Sequence, residues 1–228
     1  IDQLGRRHTA AMSAPSWFFA GGGAYTLPRA VLSYQPDAHV MVAEIDEEVT
    51  QLVTEQLYLD TSGMKVIHED ARVALARQDE ATFDVIVGDV FHDIAVPYHL
   101  LTHEFAQEVK RALKPGGIYV MNLVDAFPDA KLLKSLHKTL QREFKHVSIW
   151  LDRISDEATR MTYVIYAHNH DKPVVENMVD ERYGRTWINV TEPALAIGTQ
   201  PGEWPVLTDD FVPVERLLAE LLTGKLGR

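Results

Sequence analysis

The chain has 228 residues and a formal net charge of −11, because 33 Asp and Glu outnumber 22 Lys and Arg. A chain of this length can bury a sizeable core, and the absence of Cys excludes a disulfide framework, a Cys-ligated zinc ion and a Cys nucleophile. The acidic balance, with no basic stripe, argues against nucleic acid as a partner and suits either a cationic substrate of the polyamine type or plain solubility.

Apolar and amphipathic segments alternate through the first three quarters of the chain. Residues 1–15 are polar, and we expect them to form an irregular N-terminal segment. Seven strands are predicted at 16–20, 40–44, 64–68, 83–88, 118–124, 147–151 and 162–168. Helices are predicted at 27–34, 47–57, 73–77, 100–113 and 130–144, and the Lys-Pro-Gly-Gly stretch at 114–117 is expected to end the fourth of them.

This order of elements predicts an α/β fold with a mostly parallel sheet, because strands that alternate with helices form βαβ units. No helix separates the last two strands, so we expect them to form an antiparallel hairpin. A seven-stranded, mostly parallel sheet that ends in such a hairpin resembles the Rossmann-like class I methyltransferase fold. The predicted Rossmann-like domain spans residues 16–170.

Residues 171–228 differ from the preceding part of the chain in composition and in hydrophobic periodicity. Five prolines interrupt this segment, at positions 173, 193, 201, 205 and 213, and it shows little periodicity before an apolar helical stripe at 214–226. Because the segment lacks the apolar mass for a core of its own, we expect a C-terminal extension packed on the domain. Its last helix either packs on the core or forms an oligomer contact, which leaves a homodimer open.

Three predicted strand ends carry residues suited to a nucleoside. The glycine loop, residues 21–23 (Gly21, Gly22 and Gly23), lets the backbone pass close to a ligand and offers N–H groups near a helix N-terminus. Glu44 lies 21 residues after Gly23, where a carboxylate can accept hydrogen bonds from ribose hydroxyls. Asp46 is better explained as a helix cap. Asp70 either meets an adenine amino group or caps the next helix.

Because parallel strands end at the same edge of a sheet, these three positions are expected to converge on one ligand. The loop reads G-G-G-A-Y-T rather than G-x-G-x-x-G, which argues against NAD(P) and favours an S-adenosyl compound. Tyr25, directly after the glycines, is expected to close over the bound molecule.

These motifs resemble the spermidine synthase (polyamine aminopropyltransferase) family. The resemblance rests on A-G-G-G at 20–23, E-I-D at 44–46, E-D-A at 69–71, F-D-V-I-V-G-D at 83–89, L-K-P-G-G at 113–117 and L-T-D-D-F-V-P at 207–213. It implies a transferase that moves an aminopropyl group from decarboxylated S-adenosylmethionine to a polyamine. The expected cofactor-binding residues are Gly21, Gly22, Gly23, Tyr25, Glu44, Ile45, Asp70, Ala71 and Asp89.

The resemblance also implies a catalytic role for Asp89, which orients the attacking amine and helps to remove its proton. The chemistry agrees, because an amine must be neutral to attack a sulfonium carbon and a nearby carboxylate can accept its proton. The same carboxylate can hold a cationic substrate, or it can serve only as a loop cap. Asp93 is the candidate for the second acidic residue that the family carries after this strand.

Two features depart from the family pattern. Ala24 and Tyr25 occupy the place of an Asp-Gly pair whose Asp meets the amino group of the cofactor, and residues 1–15 hold no counterpart of the family's small N-terminal β-domain. Two alternatives therefore stay open at this point. One is an S-adenosylmethionine-dependent methyltransferase on the same fold, and the other is a non-catalytic nucleoside-binding homologue.

Metal, membrane and export signals are weak. His99 and His103 lie four residues apart with His92 nearby, but no carboxylate at HExxH spacing accompanies them and aminopropyl transfer needs no metal, so we expect no metal site. The sequence has no run of 18 apolar residues and no signal-peptide order. We therefore expect a cytoplasmic location, with neither a membrane nor nucleic acid as a partner of this segment.

Overall fold

The structure is a computed structural model that describes residues 1–90, 96–155, 157–171, 177–180 and 184–223. These residues fall into two compact units, the first within 1–91 and 108–121 and the second within 92–107 and 122–228. Two elements have residues in both units: helix α5 (His103–Ala112) and strand β5 (Leu113–Phe127). In the part of the chain described, no helix is both long and apolar enough to cross a membrane.

The first unit is built on a parallel sheet. Its strands, besides the first part of β5, are β1 (Ser16–Ala20), β2 (His39–Ala43), β3 (Met64–Ile67) and β4 (Phe83–Gly88). Its helices are α1 (Asp2–Thr9), α2 (Thr26–Tyr34), α3 (Glu47–Leu57) and α4 (Ala71–Ala76). The strand order is β3-β2-β1-β4-β5 with every pairing parallel, so the order reverses beside β1. Ligands of open α/β sheets bind at such a reversal, beyond the carboxyl ends of the strands.

The central strands form because their side chains are apolar on both faces. Trp17, Phe18 and Phe19 of β1 are almost fully buried, as are the valines and isoleucine of β4. Such continuous apolar runs are typical of parallel strands covered on both faces. At the amino ends of the strands, the Asp84 carboxylate accepts hydrogen bonds from Ser16 N at 2.8 Å and from Lys114 Nζ at 2.7 Å. One side chain thus ties together the starts of β1, β4 and β5.

The second unit is antiparallel beyond β5. Its strands are β6 (His146–Leu151), β7 (Thr159–His168), β8 (Asn177–Asp180) and β9 (Arg185–Asn189), in the order β5-β7-β6-β9-β8. Its helices are α6 (Lys131–Leu140), α7 (Thr191–Ala196), α8 (Val214–Leu217) and α9 (Ala219–Leu222), with 3₁₀ turns at Tyr98–Leu100 and Pro201–Glu203. The predicted hairpin is β6 and β7, which pair antiparallel from His146 opposite His168.

The predicted α/β class with a mostly parallel core is confirmed, but the prediction of seven strands is wrong. The described residues contain nine, because β8 and β9 add to the hairpin through pairing of β9 with β6. Both strands are short and pair with each other, and β9 also pairs with β6, which lies far from it in sequence.

Two further local predictions are wrong. The polar N-terminal segment contains α1, whose Leu4, Gly5 and Thr9 are buried although most of its residues are charged or polar. The fourth predicted helix begins only at His103, because the Thr102 hydroxyl accepts a hydrogen bond from Phe105 N at 3.2 Å and caps it. Helix α5 ends at Ala112, just before the stretch at 114–117 that was expected to end it, and that stretch lies within a bulge of β5, since the pairing with β4 jumps across it.

Polar contacts hold the tail within the second unit. The buried Lys134 Nζ donates to Asp129 Oδ1 at 3.0 Å and to the carbonyl of Ile197. Thr199 N also donates to Asp129 Oδ1, at 2.8 Å. Leu207 N donates to the buried Thr139 hydroxyl at 2.9 Å. The tail is therefore anchored through α6 and the segment that precedes it.

Candidate functional site

The glycine loop follows β1 and has a backbone that favours glycine. Gly21 has φ of +90° and Gly23 has φ of +50°, both in the left-handed region that side chains rarely adopt. A Cβ atom on Gly21 would lie 2.5 Å from the carbonyl oxygen of Asp89. On the other strand, Asp89 N donates to the carbonyl of Ala20 at 2.9 Å. The loop therefore passes directly beside the end of β4, with no room for a larger residue at position 21.

Glu44 follows β2 and binds the loop through its carboxylate. Glu44 Oε2 accepts hydrogen bonds from Gly22 N at 2.9 Å and Gly23 N at 3.1 Å, while Oε1 accepts one from Asp46 N at 3.1 Å. The residue is buried, with 8% of its surface exposed, yet its neighbours Gly23 and Ile45 are exposed. A carboxylate offers about four acceptor positions. The three backbone donors thus fix its orientation and leave capacity for a ligand hydroxyl.

Two aspartates at this edge cap helices. Asp46 Oδ1 accepts from Glu48 N at 2.9 Å and caps α3, as predicted. Asp70 Oδ1 accepts from Arg72 N at 2.9 Å and from Val73 N at 3.2 Å, and so caps α4. A contact of Asp70 with an adenine amino group stays a prediction beside this observed role.

Two apolar residues were also expected at the ligand. Ile45 is 68% exposed, so it offers an apolar surface next to the Glu44 carboxylate. Ala71 is the first residue of α4 and is buried. A ligand could contact the exposed Ile45 side chain directly, whereas Ala71 is buried at the start of α4 and offers little surface.

Tyr25 lies beneath the glycine loop, whereas the sequence led us to expect it above a bound molecule. Its φ of 55° is left-handed, and its side chain is fully buried. A Cβ atom on Gly22 would lie 2.7 Å from the Tyr25 ring, so the ring directly supports the loop. The Tyr25 hydroxyl lies 2.7 Å from Thr50 Oγ1. Burial raises the pKa of Tyr25, and the hydrogen bond with Thr50 acts in the opposite direction.

Asp89 follows β4 and is half-buried next to Gly21. Because β4 and β2 lie on opposite sides of β1, Asp89 and Glu44 flank the glycine loop. Asp93, the candidate for a second acidic residue, lies outside the described residues, as does His92. In the second unit, His103 Nε2 lies 2.8 Å from Glu143 Oε1, and the His99 ring packs edge-on against Tyr98. His103 thus has a carboxylate partner on its own unit.

The sequence reasoning missed two residues of this site, Thr50 and His68. Thr50 is buried on α3, and His68 follows β3 with its Nε2 3.1 Å from Thr50 Oγ1. Their positions held a signal, because His68 stands at the same carboxyl edge as Glu44 and Asp70. The two residues were missed because the sequence does not show that the Tyr25 side chain points inward, where its hydroxyl meets Thr50.

Comparison with known proteins finds a matching family model and similar sequences. Residues 18–176 match the family model described as "Spermine/spermidine synthase domain". The "Polyamine aminopropyltransferase" of Vibrio vulnificus is 34% identical over 105 residues, which cover 45% of this chain and 34% of that protein. The "Probable polyamine aminopropyl transferase" of Bifidobacterium longum is 33% identical over 114 residues, covering 50% of this chain and 25% of that protein.

A solved structure described as a probable spermidine synthase from Corynebacterium glutamicum shares the fold. It superposes with a TM-score of 0.75 at 22% identity, and the match covers 93% of this chain and 80% of that one. The matched region spans only about a third or less of the length of the two curated relatives.

Proposed function

The chain belongs to the spermine/spermidine synthase family, and on that premise we propose that it is a transferase acting on a small polyamine. The transferred group is an aminopropyl group, and its donor is decarboxylated S-adenosylmethionine. The names of the two curated relatives support this reaction. The observation that carries the proposal is the Glu44 carboxylate, fixed by the amides of Gly22 and Gly23 at the edge where the strand order reverses.

The residues at this edge suit the donor. The glycine loop leaves the backbone accessible, Glu44 retains acceptor capacity for a ribose hydroxyl, and Ile45 offers an exposed apolar surface for a base. Glu44 and Asp89 place negative charge on both sides of the loop. A cationic donor that lacks a carboxylate suits this charge better than one that carries a carboxylate. The site therefore favours the decarboxylated form over S-adenosylmethionine itself.

The proposed chemistry is a direct displacement. When bound, decarboxylated S-adenosylmethionine supplies a carbon next to a positively charged sulfur, to which an amine nitrogen bonds as the carbon–sulfur bond breaks. Asp89 orients the attacking amine and accepts the proton that its nitrogen must lose. Its negative charge also attracts the cationic polyamine before the reaction. Glu44 and the glycine loop act by orientation, which supplies much of the rate enhancement in reactions between two bound substrates.

Calorimetric titration tests the ligand class. The purified chain is titrated in parallel with decarboxylated S-adenosylmethionine, S-adenosylmethionine and 5′-methylthioadenosine. We expect the decarboxylated form to bind more tightly than S-adenosylmethionine, and linear diamines and triamines then to accept the aminopropyl group. Tighter binding of S-adenosylmethionine would indicate methyl transfer, and no binding of any of the three would overturn the proposal.

Replacing Asp89 tests the catalytic assignment. Asp89→Asn should lower turnover at least about a hundredfold, because a general base contributes factors of that size. Binding of 5′-methylthioadenosine should stay within about twofold, because this molecule lacks the attacking amine on which Asp89 is proposed to act. The exposed Asp37→Asn is the matched control. Unchanged turnover in Asp89→Asn would show that Asp89 only caps its loop.

A further inference from the structure

A chain of three hydrogen-bonding groups connects the underside of the glycine loop to the end of β3. The Tyr25 hydroxyl lies 2.7 Å from Thr50 Oγ1, and Thr50 Oγ1 lies 3.1 Å from His68 Nε2. Tyr25 is fully buried, Thr50 is 8% exposed and His68 is exposed. We call these three residues the hydroxyl relay. It joins three separate elements of the first unit: the turn after β1, helix α3 and the end of β3.

The available protons give the relay a direction. Thr50 has one hydroxyl proton and two neighbours, so it can donate to only one of them. Among the described residues, Thr50 is the one hydrogen-bond partner of the Tyr25 hydroxyl. All the protons find acceptors if Tyr25 donates to Thr50 and Thr50 donates to His68 Nε2. The buried phenol therefore needs an oxygen at position 50, and not merely a side chain of the right volume.

The relay acts on the part of the loop that Glu44 also holds. Gly22 N donates to Glu44, while its Cα packs against the Tyr25 ring and its carbonyl accepts a hydrogen bond from Tyr25 N at 2.7 Å. The position of Gly22 is thus set from one side by a carboxylate and from the other by a tyrosine ring. A tyrosine ring that shifts without its hydroxyl partner would carry Gly22 with it.

We propose that the hydroxyl relay of Tyr25, Thr50 and His68 positions the glycine loop for nucleoside binding. These are positioning residues, because they act through Gly22 and not on the ligand. The inference rests on the proposed function only in taking an S-adenosyl nucleoside as the ligand of the loop. It predicts that ligand affinity depends on a buried hydroxyl that the ligand does not touch.

Position 50 separates positioning from packing. Thr50→Val keeps the shape of the side chain and removes the hydroxyl, whereas Thr50→Ser keeps the hydroxyl and removes a methyl group. A relay predicts that the valine variant is impaired and the serine variant behaves like the unchanged chain. Simple core packing predicts the reverse order. Thr54→Val is the control with the same chemical change, since Thr54 lies one turn along α3 and its hydroxyl donates to the Thr50 carbonyl, outside the relay.

The experiment is calorimetric titration of each variant with 5′-methylthioadenosine, with urea unfolding measured in parallel. We expect Thr50→Val and Tyr25→Phe each to weaken binding about fivefold, the size of one net hydrogen bond. The double variant should weaken it by no more than about tenfold, because both changes break the same link. Thr50→Ser and Thr54→Val should stay within about twofold, and His68→Leu should weaken binding less than Thr50→Val.

The outcomes separate the two proposals. If the unchanged chain binds 5′-methylthioadenosine and Thr50→Val binds it equally well, the relay is overturned while the proposed function stands. The relay is also overturned if Thr50→Ser is the weaker binder of the two variants at position 50. If the unchanged chain binds none of the nucleosides, the proposed function fails and the relay fails with it.

Discussion

Two buried carboxylates near strand ends use the same bonds in different surroundings. Glu44, after β2, accepts from three backbone amides, and Asp125, near the end of β5, accepts from Ala126 N at 2.7 Å and Leu133 N at 2.8 Å. Glu44 borders exposed residues, whereas Asp125 is fully enclosed. Burial raises the pKa of Asp125 to about 7. Backbone amides thus orient both carboxylates, and only the Glu44 carboxylate borders exposed residues where a ligand could reach it.

The charged residues near Asp125 hold the tail in place. We call Asp125, Asp129 and Lys134 the β5–α6 corner. Burial by itself would raise the pKa of Asp129, but hydrogen bonds from Thr199 and Lys134 outweigh it and lower that pKa. Lys134 Nζ is enclosed with the Asp129 carboxylate and the Ile197 carbonyl. The corner thus ties the tail to its own unit, whereas the glycine loop presents its carboxylate at an open edge.

Breaking the corner should give the largest loss of stability. Lys134→Met keeps the length of the side chain but removes the buried cation that donates to the Asp129 carboxylate and the Ile197 carbonyl. Asp129 is only half-buried and keeps Lys131 Nζ at 3.4 Å, so we expect the loss of these charge-assisted hydrogen bonds to cost about 2 kcal/mol. Urea unfolding should show this loss, while the dissociation constant for 5′-methylthioadenosine should stay within about twofold. Weaker nucleoside binding in this variant would show that the corner and the loop are coupled.

Replacing Glu44 should weaken nucleoside binding more than it lowers stability. In Glu44→Gln an amide NH₂ replaces one oxygen, so either the two glycine amides or Asp46 N must lose its acceptor. We expect the dissociation constant for 5′-methylthioadenosine to rise about twentyfold, or about 1.8 kcal/mol, with a smaller change in the urea midpoint. Calorimetry measures the first quantity, and Asp125→Asn is the matched variant that should retain affinity. If both variants bind equally well, Glu44 is only a loop anchor.

The pH dependence of stability should report the raised pKa of Asp125. The pKa of Asp125 is raised from 3.8 to about 7, so the folded chain keeps a proton that the unfolded chain has released between these values. Stability must therefore fall as the pH rises from about 4 to about 7, by up to about 1.4 kcal/mol per pH unit.

Asp125→Asn cannot titrate and removes this dependence. The difference in unfolding free energy between the unchanged chain and Asp125→Asn, measured at several pH values, should therefore slope downward across this window. A difference that does not vary with pH would show that Asp125 is ionised throughout the window.

The smallest effect is expected next to Glu44. Asp46→Ala removes the cap of α3 and should cost about 1 kcal/mol of stability. Nucleoside affinity should not change, because the bond from the backbone N–H of residue 46 to Glu44 survives the substitution. Parallel urea and calorimetric measurements on Asp46→Ala and Glu44→Gln check this. A loss of affinity in Asp46→Ala would extend the ligand site to the helix cap.

Local signals predicted the first unit well. The bounds of β1, β4 and α3 follow from apolar runs and from the cap at Asp46, and the structure reproduces them. Glu44 was found because a strand end and a glycine loop have a fixed relation in such sheets. Its two hydrogen bonds from the Gly22 and Gly23 amides could not be predicted, since they depend on the left-handed backbone of Gly21 and Gly23.

Non-local and strained features escaped prediction. Strands β8 and β9 are short segments that pair with each other, and they join the sheet through the pairing of β9 with β6, far away in sequence. From the sequence, Tyr25 is predicted to be an exposed loop residue. Its ring is buried under Gly22 because its backbone is left-handed, which the sequence does not indicate. The relay through Thr50 and His68 follows from that single dihedral angle, and no residue pattern records it.

The tie made by Asp84 has a consequence for how this family can diversify. Asp84 holds the starts of three strands, at the edge of the sheet opposite the glycine loop. Because the starts of the strands are tied there, a substitution at positions 24 and 25 need not shift the strands against one another. An Ala-Tyr pair could therefore replace the family's Asp-Gly pair while Glu44 and Asp89 kept their places.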